Sequence, residues 1–201
     1  MSEYNEYIWA ELYNVIGNEY GVAALMGNLQ AESGVIPYRL QGDFTSTYYK
    51  SIRYTDNVDS GAIDKNTFMN DQKGYGLAQW TYYTRKEALY DAWVASGSAS
   101  IGDVGYQVQF LLSELQASYP TVYNALVNAT DIRSASDIVL VQFENPYDQS
   151  EAVKIYRASL GTAIYNEEAT GSPVPIPVPD PPDTPDEPTI PLWLLFKVGK
   201  S

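Results

Sequence analysis

This 201-residue sequence predicts one mainly α-helical domain with a small irregular lobe, followed by a proline-rich tail. Three observations predict it. Apolar residues recur at helical spacing through residues 4–33 and again through 84–166. From Val35 to Trp80 no helical period persists, and Thr, Tyr, Gly, Asn and Asp dominate, the composition of irregular chain with short strands. Nine of the twelve prolines fall between Ser172 and Pro191, a run that stays extended and cannot join a core. The expected organisation is a domain over residues 1–169, an acidic linker over 170–191 and a short apolar segment over 192–201.

Taken in order, Ile8, Trp9, Leu12 and Ile16 mark a first helix over residues 4–16, closed by Gly17. In the second, Val22, Leu25, Met26 and Leu29 form one apolar stripe, and Gly34 can end the helix in the left-handed conformation. Within the irregular lobe, residues Thr47 to Tyr54 read as a strand. Helices resume at Thr84, where Thr84-Arg85-Lys86-Glu87 has capping-box spacing and Leu89, Ala92 and Trp93 follow before Gly97. Val104, Val108, Leu111, Leu112 and Leu115 give the clearest helical face, and Pro120 is placed to open the next helix. Ser134 is the expected cap of a segment carrying Ile138, Val139 and Phe143. Residues 149–166 close the domain, with Val153, Tyr156, Leu160 and Ile164 facing inward. The linker could reach about 60 Å at ~3.1 Å per residue. Beyond it, Leu192 to Ser201 is apolar with two lysines, and is read as a segment that docks on the protein, as the opening of a binding element, or as an anchor to the wall or membrane surface.

Composition removes most chemistries. Without cysteine or histidine there is no thiolate nucleophile, no Ser-His-Asp or Cys-His arrangement and no common zinc set, and no metal or cofactor is expected. Chemistry near neutral pH then falls to carboxylates, tyrosines, lysines or backbone groups, and carboxylates suit glycoside cleavage best. A net charge of −13, with twelve scattered basic residues, argues against nucleic acid as a ligand. Eighteen tyrosines and four tryptophans supply flat amphipathic rings that pack in cores and also stack on sugar faces. The opening Met-Ser-Glu-Tyr-Asn-Glu lacks a basic region followed by an apolar run, so neither a secretory signal nor a membrane span is expected.

One carboxylate stands out. Glu32 falls about 70° from the centre of the second helix's apolar stripe, at its edge, in the last turn before Gly34. A carboxyl held against apolar neighbours is poorly hydrated, the condition under which such an acid donates a proton near neutral pH. Three further segments look site-building. Gly74-Tyr75-Gly76-Leu77-Ala78-Gln79-Trp80 joins two glycines, which permit close backbone approach, to an amide and an indole that can bind a sugar. Phe143-Glu144-Asn145-Pro146-Tyr147-Asp148 puts a second carboxylate at a helix end, and Asp43 supplies another in the irregular lobe. Either carboxylate could instead cap a helix or bond backbone amides.

Together, Met26 to Gly34, Gly74 to Thr81, Gln107 to Leu115, and Phe143 to Pro146 with Arg157 beyond resemble the phage tail-type lysozyme domain, over roughly residues 5 to 166. The resemblance implies a lysozyme-like α+β domain with a small β lobe, and cleavage of the β-1,4 bond between N-acetylmuramic acid and N-acetylglucosamine in bacterial peptidoglycan. It maps the family's catalytic glutamate onto Glu32, its Gly-Leu-x-Gln-like block onto Gly76, Leu77 and Gln79, and its Phe-Glu-x-Pro block onto Phe143, Glu144 and Pro146. On this reading Glu32 protonates the glycosidic oxygen and Asp43 is the candidate second catalytic carboxylate. Tyr75, Gly76, Leu77, Gln79, Trp80, Glu144 and Tyr147 are the substrate-binding candidates. A muramidase is expected, with a lytic transglycosylase as the rival. Its setting is expected to be an endolysin, monomeric, made in a host cytoplasm and acting on the cell wall, with a virion tail-tip protein as the alternative.

Overall fold

The computed structural model describes residues 3–169, so the linker and the apolar terminal segment lie outside the described residues. Among the described residues nine α-helices follow one another: α1 Asn5–Ile16, α2 Glu19–Ser33, α3 Tyr49–Asp59, α4 Lys65–Asn70, α5 Tyr83–Ser96, α6 Val104–Ser118, α7 Pro120–Val127, α8 Ile132–Val139 and α9 Glu151–Glu168. A π-helical turn, Leu140–Glu144, continues α8. None of the described helices is long and apolar enough to cross a membrane.

The core is built around α2. Its residues from Gly21 to Leu29 are all buried, so it is enclosed on every side rather than carrying a single apolar stripe. Around it lie α9, α8, α1 and α7. Asn18 fixes its start: Oδ1 accepts from the amides of Tyr20 and Gly21, while Nδ2 donates to the carbonyls of Val127, the last residue of α7, and Ala129 just after it. Its crossing with α9 is a backbone contact. A Cβ on Gly27 would lie 2.5 Å from Gly161 N and 2.6 Å from Arg157 O, and a Cβ on Gly161 would lie 2.6 Å from Ala23 O. This approach sets Arg157, one turn before Gly161, beside the C-terminal half of α2.

The lobe differs from expectation. The stretch read as a strand, Thr47 to Tyr54, enters helix α3, and a second helix, α4, follows it. Pairing among the described residues of the lobe is limited to two isolated antiparallel bridges, Leu40 with Tyr75 and Tyr75 with Trp80. The period of α3 was hidden because its buried positions, Ser51, Tyr54, Thr55 and Val58, are half polar. Tyr54, Phe68 and Tyr75 form the lobe's own aromatic centre, their ring centroids 5.6 to 6.2 Å apart. The side chain of Gln107 on α6 ties the lobe down: Oε1 accepts from Leu77 N, and Nε2 donates to the carbonyls of Pro37 and Ile101.

Three local expectations are corrected. Asp131, not Ser134, caps α8, its Oδ1 accepting from Ser134 N at 2.8 Å. No side chain caps α5, which starts at Tyr83, one residue before the expected capping box. On α9 the buried positions are Arg157, Ala158, Gly161, Ile164 and Glu168, while Val153 and Leu160 are half-buried and Tyr156 is exposed, because close approach to α2 demands a residue as small as Gly161 at the crossing.

Candidate active site

Glu32 reaches the surface in the last turn of α2, which ends at Gly34 with φ 70°. Its side chain keeps 21% of its exposure, and Oε1 is ion-paired with Nη2 of Arg157, a residue only 9% exposed. Arg157 is itself held. Its Nη1 donates to Asn28 Oδ1 at 3.2 Å, and Asn28 is anchored through Nδ2 to the carbonyl of Ala24 and to Ser136 on α8. A polar residue inside the core of α2 is thus fully partnered, as burial requires.

A second carboxyl faces this pair. The π-helical turn ends at Glu144, and Asn145 follows at φ 46°, its amide closing the turn on Leu140 O. Glu144 Oε1 is sealed from solvent and accepts no hydrogen bond. Desolvation, and after it the charge of Glu32, push its pKa up to about 8 against the pull of Arg85 and Arg157, with Glu114 adding to the rise. Arg85 belongs to the wall behind. Its guanidinium lies 4.7 Å from the Phe143 ring and donates Nε and Nη2 to Glu114, which also accepts from the Trp80 indole. The four segments singled out in the sequence thus converge on one run of polar groups: the Trp80 indole, Glu114, Arg85, Glu144, Glu32 and Arg157. Arg85 was missed in the sequence, and Glu114 and Arg157 were noticed only as parts of blocks. Ion-pair partners far apart in sequence leave no local signal.

Asp43 has another setting. It is 1% exposed, and both oxygens are engaged: Oδ1 accepts from Thr45 N and Oγ1 at 3.1 and 2.6 Å, Oδ2 from Ser51 N and Oγ at 2.8 and 2.7 Å. Burial disfavours its charge, but these hydrogen bonds outweigh it and hold its pKa down to about 2. It fastens the chain ahead of α3 to that helix and offers no free lone pair toward Glu32.

Tyr75, Leu77 and Trp80 have no exposed surface, so they build the lobe and present nothing to a ligand in this conformation. The Tyr75 hydroxyl bonds Thr55 Oγ1 at 2.7 Å. Gly76, at φ 79°, turns the chain where any Cβ would strike the Gln107 amide at 2.6 Å. Gln79, half-buried at φ 45°, donates Nε2 to the carbonyls of Arg39 and Gly76 and so locks the turn. Exposed rings stand just outside these blocks: Tyr147 is fully exposed, Tyr82 65%, Tyr83 47% and Phe44 89%. Among the described residues no cluster of three or more acidic side chains is placed to hold a metal ion.

No curated protein matches this chain, and no solved structure does. A family model does: the one described as phage tail lysozyme matches residues 3–167, which include every segment converging on Glu32. With its mainly helical fold and a half-buried glutamate at the end of the central helix, the chain belongs to the phage tail lysozyme family and is a lysozyme-like lytic enzyme.

Proposed function

We propose that this chain cleaves the β-1,4 bond between N-acetylmuramic acid and N-acetylglucosamine as a muramidase, with Glu32 as the general acid, and that it serves as an endolysin. The observation that carries this reading is the position of Glu32: half-buried, on a rigid helix, oriented by a guanidinium and open to the surface on its remaining side. Protonated Glu32 gives its proton to the glycosidic oxygen, the C1–O bond breaks, and water adds to the oxocarbenium-like centre, releasing a proton to solvent. Tyr147, Tyr82 and Tyr83 are proposed as the rings that meet the sugars, since with Phe44 they are exposed near these segments and they add a hydroxyl that can bond a sugar, while Tyr75 and Trp80 are enclosed.

One observation favours a second reading. Because both oxygens of Asp43 are engaged, Asp43 does not activate water in this conformation. In a lytic transglycosylase Glu32 would act as acid and then as base, and the sugar's own 6-hydroxyl would close a 1,6-anhydro ring. Mass spectrometry of digested peptidoglycan separates the two. Reducing N-acetylmuramic ends that carry added water support the muramidase, and anhydro ends without it sink that reading. Glu32→Gln keeps the shape and removes the proton, and is expected to lower kcat/KM by about a thousandfold with the fold intact. A variant that still clears cell walls at the wild-type rate overturns the whole assignment. Purified virions free of the chain support the lysis role, and its presence in them moves the activity to entry.

A further inference from the structure

The charges that act on Glu144 come one from each of four helices: Glu32 on α2, Arg85 on α5, Glu114 on α6 and Arg157 on α9. Neither guanidinium is committed to it. Arg85 gives two N–H groups to Glu114, and Arg157 divides its own between Asn28 and Glu32. Three carboxyls therefore share two guanidiniums, and the cluster is neutral only if one carboxyl keeps a proton. Of the three, Glu144 is the one with a sealed oxygen and no donor, the setting in which a charge costs most. It also stands at the end of a π-helical turn, a distortion that recurs at functional sites.

We propose that Glu144 stores the catalytic proton and that Arg157 decides which of the two glutamates carries it. With Arg157 paired to Glu32, the proton rests on Glu144. When Nη2 of Arg157 swings from Glu32 to Glu144, with Nη1 still held by Asn28, the ion pair passes to Glu144. The proton then leaves the Glu144 carboxyl and joins the Glu32 carboxylate. Nothing is oxidised and the cluster stays neutral, but the acid is now armed on the side open to the surface. A glycan strand seated against Glu32 would displace the guanidinium and so couple arming to binding. The inference rests on Glu32 being the acid, and it makes Glu144 a positioning residue that touches no sugar.

Glu144→Gln keeps the shape and removes the stored proton. Its expected signature is a pH-selective loss: kcat/KM falls by about tenfold or more near pH 7, yet by less than about threefold near pH 5, where protons are more plentiful in solvent. The alkaline limb of the rate profile therefore moves toward acid, while binding of intact peptidoglycan by the Glu32→Gln variant is unaffected by adding Glu144→Gln. A loss that is uniform across pH overturns the proposal, because a purely structural defect scales the profile without moving it. Carbon-13 NMR of glutamate carboxyls in the uncomplexed protein gives a readout independent of activity. One carboxyl is expected to titrate well above the ordinary range and to vanish in Glu144→Gln. If every glutamate carboxyl titrates near its ordinary value, proton storage is wrong whatever the enzyme cleaves. If the high-titrating carboxyl is present but peptidoglycan is untouched, storage stands and the muramidase reading fails.

Discussion

Asp43 and Glu144 are both carboxyls taken out of water, and they differ in what replaces it. Asp43 receives four donors, two from Thr45 and two from Ser51, so its charged form is favoured despite burial. Its folded pKa of about 2 lies below the ordinary 3.8, so it stabilises the fold above the ordinary value and loses that contribution as pH falls toward 2. The separation corresponds to about 2 kcal/mol. Asp43→Asn exchanges an acceptor for a donor that must face two donors of Ser51 or Thr45. We expect it to destabilise the protein by about 1–3 kcal/mol in urea denaturation at neutral pH while kcat/KM per folded molecule changes by less than about threefold. A drop of a hundredfold without loss of stability would return Asp43 to the chemistry. The sequence made Asp43 and Glu144 look alike because a carboxylate near a turn reads the same whether donors surround it or not. What distinguishes them, Ser51 and the π-helical turn, is set by tertiary placement. Glu32 was legible because its position at a helix end before a glycine is local information.

At the level of elements, the signals that worked were backbone signals. Gly17, Gly34 and Gly97 end helices at positive φ, and Pro120 opens one, because these residues act on φ directly. Those that failed depended on hydrophobic period. Helix α3 buries Ser51 and Thr55 beside Tyr54 and Val58, a sound helical spacing that polar identity conceals. Helix α2 has the opposite problem: buried nearly all round, it places Asn28 inside, so the stripe drawn through Val22, Leu25, Met26 and Leu29 described only part of its core surface. Its two internal glycines are the clue to that enclosure. In an exposed helix, Gly27→Ala would stabilise by roughly 0.5–1 kcal/mol through backbone entropy. Here the added methyl meets the Gly161 amide at 2.5 Å and Arg157 O at 2.6 Å, both backbone, which cannot rotate away. We expect Gly27→Ala to destabilise by about 2–4 kcal/mol and, by levering α9 outward, to lower activity through Arg157. The sign alone decides it: a rise in Tm would mean that the two helices do not touch as described.

Over the whole molecule, the site lies where the helical body meets the lobe, so its geometry depends on how firmly the lobe is attached. One fastening is electrostatically costly. Asp59, at the end of α3, accepts from Ile101 N at 2.9 Å and so joins the lobe to the start of α6. Burial raises its pKa from 3.8 to about 6, hydrogen bonds from Ser100 and Ile101 partly opposing this and the charge of Asp56 adding to it. For an acid raised in the folded state the unfolded chain releases the proton first, so stability falls as pH rises from about 4 to about 6 and stays lower above that. The full separation would be worth about 3 kcal/mol, and partial exposure of Asp59 reduces this to about 1–2. Asp43 acts in the opposite sense at lower pH, so the two windows are separable in one titration. Asp59→Asn can still accept from Ile101 N and carries no charge. We expect it to raise stability at pH 7 by about 1–2 kcal/mol and to remove the decline between pH 4 and 6, read as urea midpoints across pH, with lytic activity retained because Glu32, Glu144 and Arg157 sit on other elements. A variant no more stable than wild type at pH 7 would show that the Asp59 carboxylate is hydrated in the folded protein, and that the attachment of the lobe carries no electrostatic cost.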